Sequence, residues 1–326
     1  MLKVGIIGAG TMGKMHIQAW ADTGRVEIAG VYDVNRSYAE MLASRYSAPA
    51  LDFPQLLQKA DIIDVCTPTP THHQYVIEAA RAGKHIFCEK PLARTLEQGE
   101  EMLREVEKAG VKFMVGQVLR WFPEYRKAKQ LIEEGAIGRP ISARTIRGGA
   151  FPRGIADWYA DYEKSGGVIL DLIIHDFDFL RWCFGEVERV FAHSLTYRNL
   201  KHFDYTLVTL RFRSGVIGHI EGIFAYPPGS PFRTGYEIAG DKGMLLFDNQ
   251  ATMPLKVLTK PKEGTAGVAV PESPLAENPY YLEIEHFLTC VEEDKEPEVK
   301  PEDGFQAIKI ALSALESVRV GKPVYL

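Results

Sequence analysis

Apolar residues fall along this chain in two different rhythms. Over the first third, short apolar runs at 4–7, 27–32, 60–66, 85–88 and 112–118 alternate with segments at 14–21, 37–46, 72–81 and 95–109 that suit helices. Alternation this regular predicts an α/β fold with a parallel, doubly wound sheet. Beyond Arg120 the rhythm changes. A helix is predicted from Phe122-Pro123-Glu124 to residue 134 with Gly135 as its stop, then a strand at 141–147 and an irregular stretch at 148–162. Strands predicted at 187–197, 205–213, 216–225, 235–239, 244–247 and 255–259 follow without intervening helices, and turns such as Ser214-Gly215 and Asp241-Lys242-Gly243 favour antiparallel hairpins. Leu207, Thr209, Arg211 and Arg213 alternate with Val208, Leu210 and Phe212, so one sheet face is expected to be covered and the other more open. A loop at 261–279 and two helices at 280–293 and 301–318 close the chain. The change of rhythm puts the expected domain boundary near 118–122, giving domains of 1–120 and 121–326.

One segment breaks its own pattern. After Gly166-Gly167, the run from Val168 to Phe177 is apolar enough for a single, mostly buried helix, yet it carries Asp171 and His175 at i and i+4, on one face. Ionisable groups are rarely buried unless paired. Alone, the two read as a hydrogen bond that holds packing together; beside a substrate they would handle a proton.

Composition narrows the classes. A net charge of -5 with no basic tract argues against nucleic acid as a partner. No apolar run reaches the ~18 residues of a membrane span. Met1-Leu2-Lys3 leads straight into the first strand, leaving no room for a cleavable signal, and the four cysteines form no Cys-x-x-Cys pair. A cytoplasmic protein without a metal site is expected.

The first strand ends in Gly8-Ala9-Gly10-Thr11-Met12-Gly13, the G-x-G-x-x-G spacing between strand and helix. Such glycines permit a tight turn and close approach of backbone to a pyrophosphate, which the helix N-terminus attracts. The second strand ends at Asp33, placed to accept hydrogen bonds from an adenosine ribose, so NAD is favoured; Arg36 nearby leaves NADP open. Thr67-Pro68-Thr69-Pro70-Thr71 must leave the sheet at its carboxyl edge, where ligands of such sheets bind. His72 and His73 open the next helix and, as neighbours, point apart. The fourth strand delivers Glu89-Lys90-Pro91 to the same edge, where the Lys90 cation would face the nicotinamide end of a bound cofactor. In the irregular stretch, Arg153, Asp157 and Trp158 suit a polar or polyhydroxyl ligand, and Tyr236 is grouped with them; a loop simply anchored by its tryptophan would look the same.

Taken together, Gly8-Ala9-Gly10-Thr11-Met12-Gly13, Glu89-Lys90-Pro91 and Asp171-x-x-x-His175 after Gly166-Gly167 resemble the Gfo/Idh/MocA family, that of glucose-fructose oxidoreductase and inositol dehydrogenase. The resemblance extends over the chain, through Cys66 to His73, Gly116-Gln117 and Gly321-Lys322-Pro323. It implies an NAD(P)-dependent oxidoreductase of the EC 1.1.1 kind acting on a secondary hydroxyl of a sugar or cyclic polyol. The implied architecture is an N-terminal Rossmann domain and a C-terminal α+β domain with a large, mostly antiparallel open sheet, which would join the chain into a homodimer or homotetramer. It assigns Lys90, Asp171 and His175 to catalysis. Gly8, Gly10, Thr11, Met12, Gly13, Asp33, Arg36, Thr67, Pro68, His72, Glu89 and Gln117 are assigned to the cofactor, and Arg120 to the substrate. The peptide before Pro91 is often cis in such enzymes. Two alternatives stay open: a glycoside lyase or hydrolase working through transient oxidation by NAD, and a catalytically silent NAD-binding regulator.

Overall fold

The computed structural model describes residues 1–152, 154–196, 204–251 and 278–326. They form two compact units, one of Met1–Trp121 with Asn278–Phe305, the other of the described residues of Phe122–Glu277 with Gln306–Leu326. No helix among the described residues is long and apolar enough to cross a membrane.

In the first unit β1 (Leu2–Ile7), β2 (Val26–Tyr32), β3 (Ile62–Val65), β4 (His85–Glu89) and β5 (Phe113–Gly116) form a parallel sheet of order β2-β1-β3-β4-β5. Val4, Ile6, Ile7, Ile62, Ile63, Val65, Ile86 and Phe87 are fully buried, as expected of parallel strands covered on both faces. Asp64 is the polar exception in β3, and it is buried as well. Chain order reverses at β1, so the crevice for a ligand opens between the loops after β1 and β3. A helix at Phe53–Lys59 goes beyond the expected elements, although its start is written in the sequence: Asp52 and Gln55 form a capping box around Pro54. The helix Pro279–Glu292 belongs to this unit. Its Ile284, Phe287 and Leu288 join Trp20 and Phe87 in one apolar cluster, with Phe287 edge-on to both aromatic rings.

The second unit is built on a seven-stranded sheet. Its strands are β6 (Pro140–Ala150), β7 (Val187–Leu195), β8 (Tyr205–Phe212), β9 (Ile217–Tyr226), β10 (Arg233–Gly240), β11 (Met244–Asp248) and β12 (Val324–Tyr325), in the order β11-β10-β6-β9-β8-β7-β12. All neighbours are antiparallel except β6 and β9. Val208, Leu210 and Phe212 are buried while Leu207 stands exposed, as the alternation predicts. The strand expected at 255–259 lies outside the described residues, as do residue 197 and most of the loop at 261–279.

The apolar run after Gly166-Gly167 is not the single helix its composition suggests. Val168–Leu172 is a π-helical turn in which the Ile173 N–H donates to Val168 O at 3.0 Å, and an α-helix, Ile174–Phe184, follows. Residues Val168 to Ile174 are all buried, so no solvated face holds the segment to a 3.6-residue repeat. The wider turn lets both Val168 and Ile173 lie over β9 at Gly222, where a Cβ would come within 2.6 Å of Ile173 and 3.2 Å of Val168. Such π-helical turns recur at functional sites.

Candidate active site

In the first unit the glycine motif forms a turn that no larger residue fits. Gly8 has φ +99°, and a Cβ on Gly13 would stand 1.8 Å from the Gly8 carbonyl oxygen. At Gly10 nothing lies within 4 Å of such a Cβ, so the backbone there is open to a ligand. Thr11, Met12 and Gly13 begin the helix Thr11–Asp22, which has no side-chain cap, leaving its first N–H groups turned toward an anion site. The Asp33 carboxylate accepts from the Ala9 N–H and the Asn35 N–H, each at 2.8 Å, which fixes it against the glycine turn. Arg36 pairs on the surface, with its Nε 3.0 Å from Glu40 Oε1.

The loops after β3 and β4 are tied to each other. His72 is fully buried, with Nδ1 2.8 Å from Pro91 O and Nε2 2.8 Å from Thr67 O. Burial lowers its pKa while both carbonyls favour the protonated ring. The Thr71 hydroxyl donates to the Pro68 carbonyl at 2.8 Å, and the Thr67 hydroxyl lies 2.8 Å from the same Thr71 oxygen. Glu89 ends β4, its Oε2 accepts from the Lys90 N–H at 3.0 Å, and the Lys90-Pro91 peptide is cis. Gln117 follows β5 fully buried, with neither amide atom bonded to a partner among the described residues. Arg120 sits at the end of this unit's main segment, its guanidinium 3.2 Å from Asp303 and bonded to the Glu298 carbonyl at 3.5 Å.

These residues fit a dinucleotide. The open backbone at Gly10, the uncapped helix, the fixed Asp33 carboxylate and the orphaned Gln117 amide all stand at the carboxyl edge of one sheet.

Two groups went unmarked in the sequence. His16 on the first helix meets Asp64 of β3 and Glu89 of β4. Arg147 of β6, in the second unit, meets Asp176. The only local signal of the first was a polar residue inside each of two apolar segments, His16 and Asp64.

In the second unit Asp171 lies in the π-helical turn and is buried, and His175 lies one turn on and is half-buried. The next residue, Asp176, is fully buried against Arg147. Asp157 is exposed with φ +50°, and Trp158 stacks on Tyr159 with ring centroids 4.1 Å apart. Tyr236 lies inside an aromatic cluster with Tyr125, Phe179 and Phe247, and its hydroxyl donates to Glu124 O at 2.9 Å. Arg153 lies outside the described residues.

Comparison with known proteins agrees with this architecture. Residues 2–117 match the Gfo/Idh/MocA model described as an oxidoreductase family with an NAD-binding Rossmann fold, and residues 125–246 match a Gfo/Idh/MocA C-terminal domain. The chain is 32% identical to the uncharacterized oxidoreductase YrbE of Bacillus subtilis, covering 98% of this chain and 95% of that protein. It is 30% identical to a myo-inositol 2-dehydrogenase of Thermotoga maritima, over 100% and 98% of the two chains. A solved levoglucosan dehydrogenase, in complex with NADH and levoglucosan, superposes with a TM-score of 0.86 at 26% identity, covering 99% of both chains. The chain therefore belongs to the Gfo/Idh/MocA family of oxidoreductases, and its first domain is that family's NAD-binding Rossmann fold.

Proposed function

We propose that the chain is an NAD-dependent dehydrogenase that oxidises a secondary hydroxyl of a sugar or cyclic polyol, with Lys90, Asp171 and His175 acting on that hydroxyl. The carrying observation is the place of Lys90. It stands at the carboxyl end of β4, on the sheet edge that also bears the glycine turn and Asp33, with its backbone held by Glu89. The names of the inositol and levoglucosan dehydrogenase relatives support the substrate class.

The glycine turn, Asp33 and Gln117 would hold NAD, which would supply the acceptor for a hydride. This chain's residues handle the proton and the charge. Removal of the hydroxyl proton builds negative charge on the substrate oxygen, whose electron pair forms the carbonyl as the hydride leaves carbon, so a group must take that proton. His175 is the base, Asp171 orients or relays to it, and the Lys90 ammonium stabilises the developing alkoxide. Exposed Leu195, Leu207, Ile217 and Leu246 share the open face of the second sheet by strand register, which supports assembly into a homodimer or homotetramer there.

Turnover of the Lys90→Met, Asp171→Asn and His175→Ala variants over a range of pH tests the assignment. Each is expected to lose about 100-fold or more in kcat with NADH binding retained. Full activity in His175→Ala would remove it as the base.

A further inference from the structure

His16 is placed where a helix that packs on a parallel sheet would ordinarily carry an apolar side chain. Its ring is fully buried and meets a carboxylate at each nitrogen. Nδ1 lies 3.1 and 3.0 Å from the two oxygens of Asp64, and Nε2 lies 3.0 Å from Glu89 Oε1. Asp64 is held in turn by Trp20 Nε1 at 2.8 Å and by the Cys66 thiol at 3.3 Å. Phe87 meets the imidazole edge-on at 5.4 Å, and the Tyr280 ring is 6.3 Å away.

Ionised carboxylates only accept hydrogen bonds, so a ring between two of them must donate from both nitrogens. Asp64, His16 and Glu89 thus form a buried anion–cation–anion series in which the imidazolium offsets two charges that would be costly alone. Donor atoms of His16, Asp64 and Cys66 lie within 4.8 Å of one another. The ring nitrogen there already faces a carboxylate, and burial pushes the Cys66 thiol up, so the cluster bears protons rather than offering a thiolate to a cation.

The series does not end in the core. Glu89 Oε2, the oxygen that His16 does not meet, accepts from the Lys90 backbone N–H at 3.0 Å. We propose that His16 is a positioning residue: its ring, clamped between Asp64 and Glu89, holds the Glu89 carboxylate on the Lys90 amide and so sets where the Lys90 ammonium stands. This rests on the reading of Lys90 as the cation at the reacting oxygen. Because His16 rides on the helix that Thr11 opens, it also links the anion-binding end of that helix to the Lys90 loop. Misplacement of a reacting group by ~1 Å costs about 100-fold in rate, so the clamp acts on catalysis without touching substrate.

The full chain carrying His16→Ala, His16→Gln, Glu89→Gln or the Ala/Gln pair provides the test, with two independent readouts. Acylation of Lys90, followed by peptide mass spectrometry, reports its surroundings without any substrate; NADH binding and polyol turnover report the chemistry. With the clamp removed, Lys90 should be labelled several-fold faster and kcat should fall about 100-fold, while NADH affinity of the His16 variants should stay within about threefold. The double variant should fall no further than either single, because both break one series. Unchanged Lys90 labelling, or losses in the double variant that multiply, would overturn the proposal. Should the wild-type chain oxidise no sugar or polyol, the proposed function fails while the labelling still decides the clamp. For variants that do not fold, 15N-histidine NMR of the wild-type chain decides: a doubly protonated His16 ring at neutral pH supports the clamp, and a neutral ring overturns it.

Discussion

Arg147 Nε lies 2.6 Å from Asp176 Oδ2, and neither side chain is more than 1% exposed. The guanidinium also donates to the Tyr125 hydroxyl at 3.3 Å, and Tyr125 bonds to Thr234. The pair joins β6 to the helix Ile174–Phe184 one residue past His175, so it anchors the segment that carries the proposed base. Removing one partner strands a buried charge. Arg147→Met or Asp176→Leu alone should cost about 3–5 kcal/mol, whereas the double substitution should return most of that loss. Urea denaturation of the three variants checks it, and single losses below about 1 kcal/mol would show the pair to be solvated.

Stability should depend on pH through His16. Burial opposes the charged ring, but the adjoining Asp64 carboxylate raises its pKa well above the ordinary value of 6.5. A group whose folded-state pKa is raised contributes stability that is complete below its unfolded value and fades as pH rises through the folded value. The Tm advantage of the wild type over His16→Gln should therefore be largest near pH 6 and shrink as the buffer is made more alkaline. A constant difference between roughly pH 6 and 9 would mean that folding leaves the ring's pKa unchanged, and a difference that grows with pH would mean that the folded ring is neutral.

If Gln117 serves the proposed cofactor site, it exchanges stability for binding. Its buried amide lacks a partner among the described residues, which costs about 1–3 kcal/mol. Gln117→Leu should raise the Tm of the cofactor-free chain and weaken NADH binding by about tenfold. Calorimetry gives both quantities, and a variant that loses stability without losing affinity would place the amide outside the cofactor site.

The open sheet face makes a separate prediction. A double Leu207→Glu, Leu246→Glu substitution places two charges among exposed apolar residues on one face and should shift the chain toward monomer in size-exclusion chromatography. An unchanged elution volume would put any interface elsewhere.

What the sequence made legible was local. Gly8 and Gly13 could be read because a turn that tight leaves no room for a Cβ. The parallel first sheet was legible because short apolar strands alternate regularly with helical segments along the chain. Val168 to Ile174 misled because a run without a polar face carries no period, and the seven-residue helix Phe53–Lys59 is too short to display one. The parallel pairing of β6 with β9 joins strands distant in the chain, which no turn residue records. The buried pairs escaped for the same reason: His16 meets partners 48 and 73 residues away, and Arg147 one 29 residues away. The resemblance assigned Arg120 to substrate and residue type assigned Tyr236; the structure adds the ion pair with Asp303 and the aromatic cluster that surround them.

The most direct test of the central claim is the stoichiometry of NADH. The purified wild-type chain is incubated with NAD and, in turn, inositols, aldoses and anhydro-sugars, and NADH is measured against oxidised product. A dehydrogenase predicts one NADH per ketone or lactone formed, abolished in Lys90→Met. Product formed without net NADH would instead establish a lyase or hydrolase working through transient oxidation, and NADH binding with no product from any sugar or polyol would leave a binding protein in place of the enzyme.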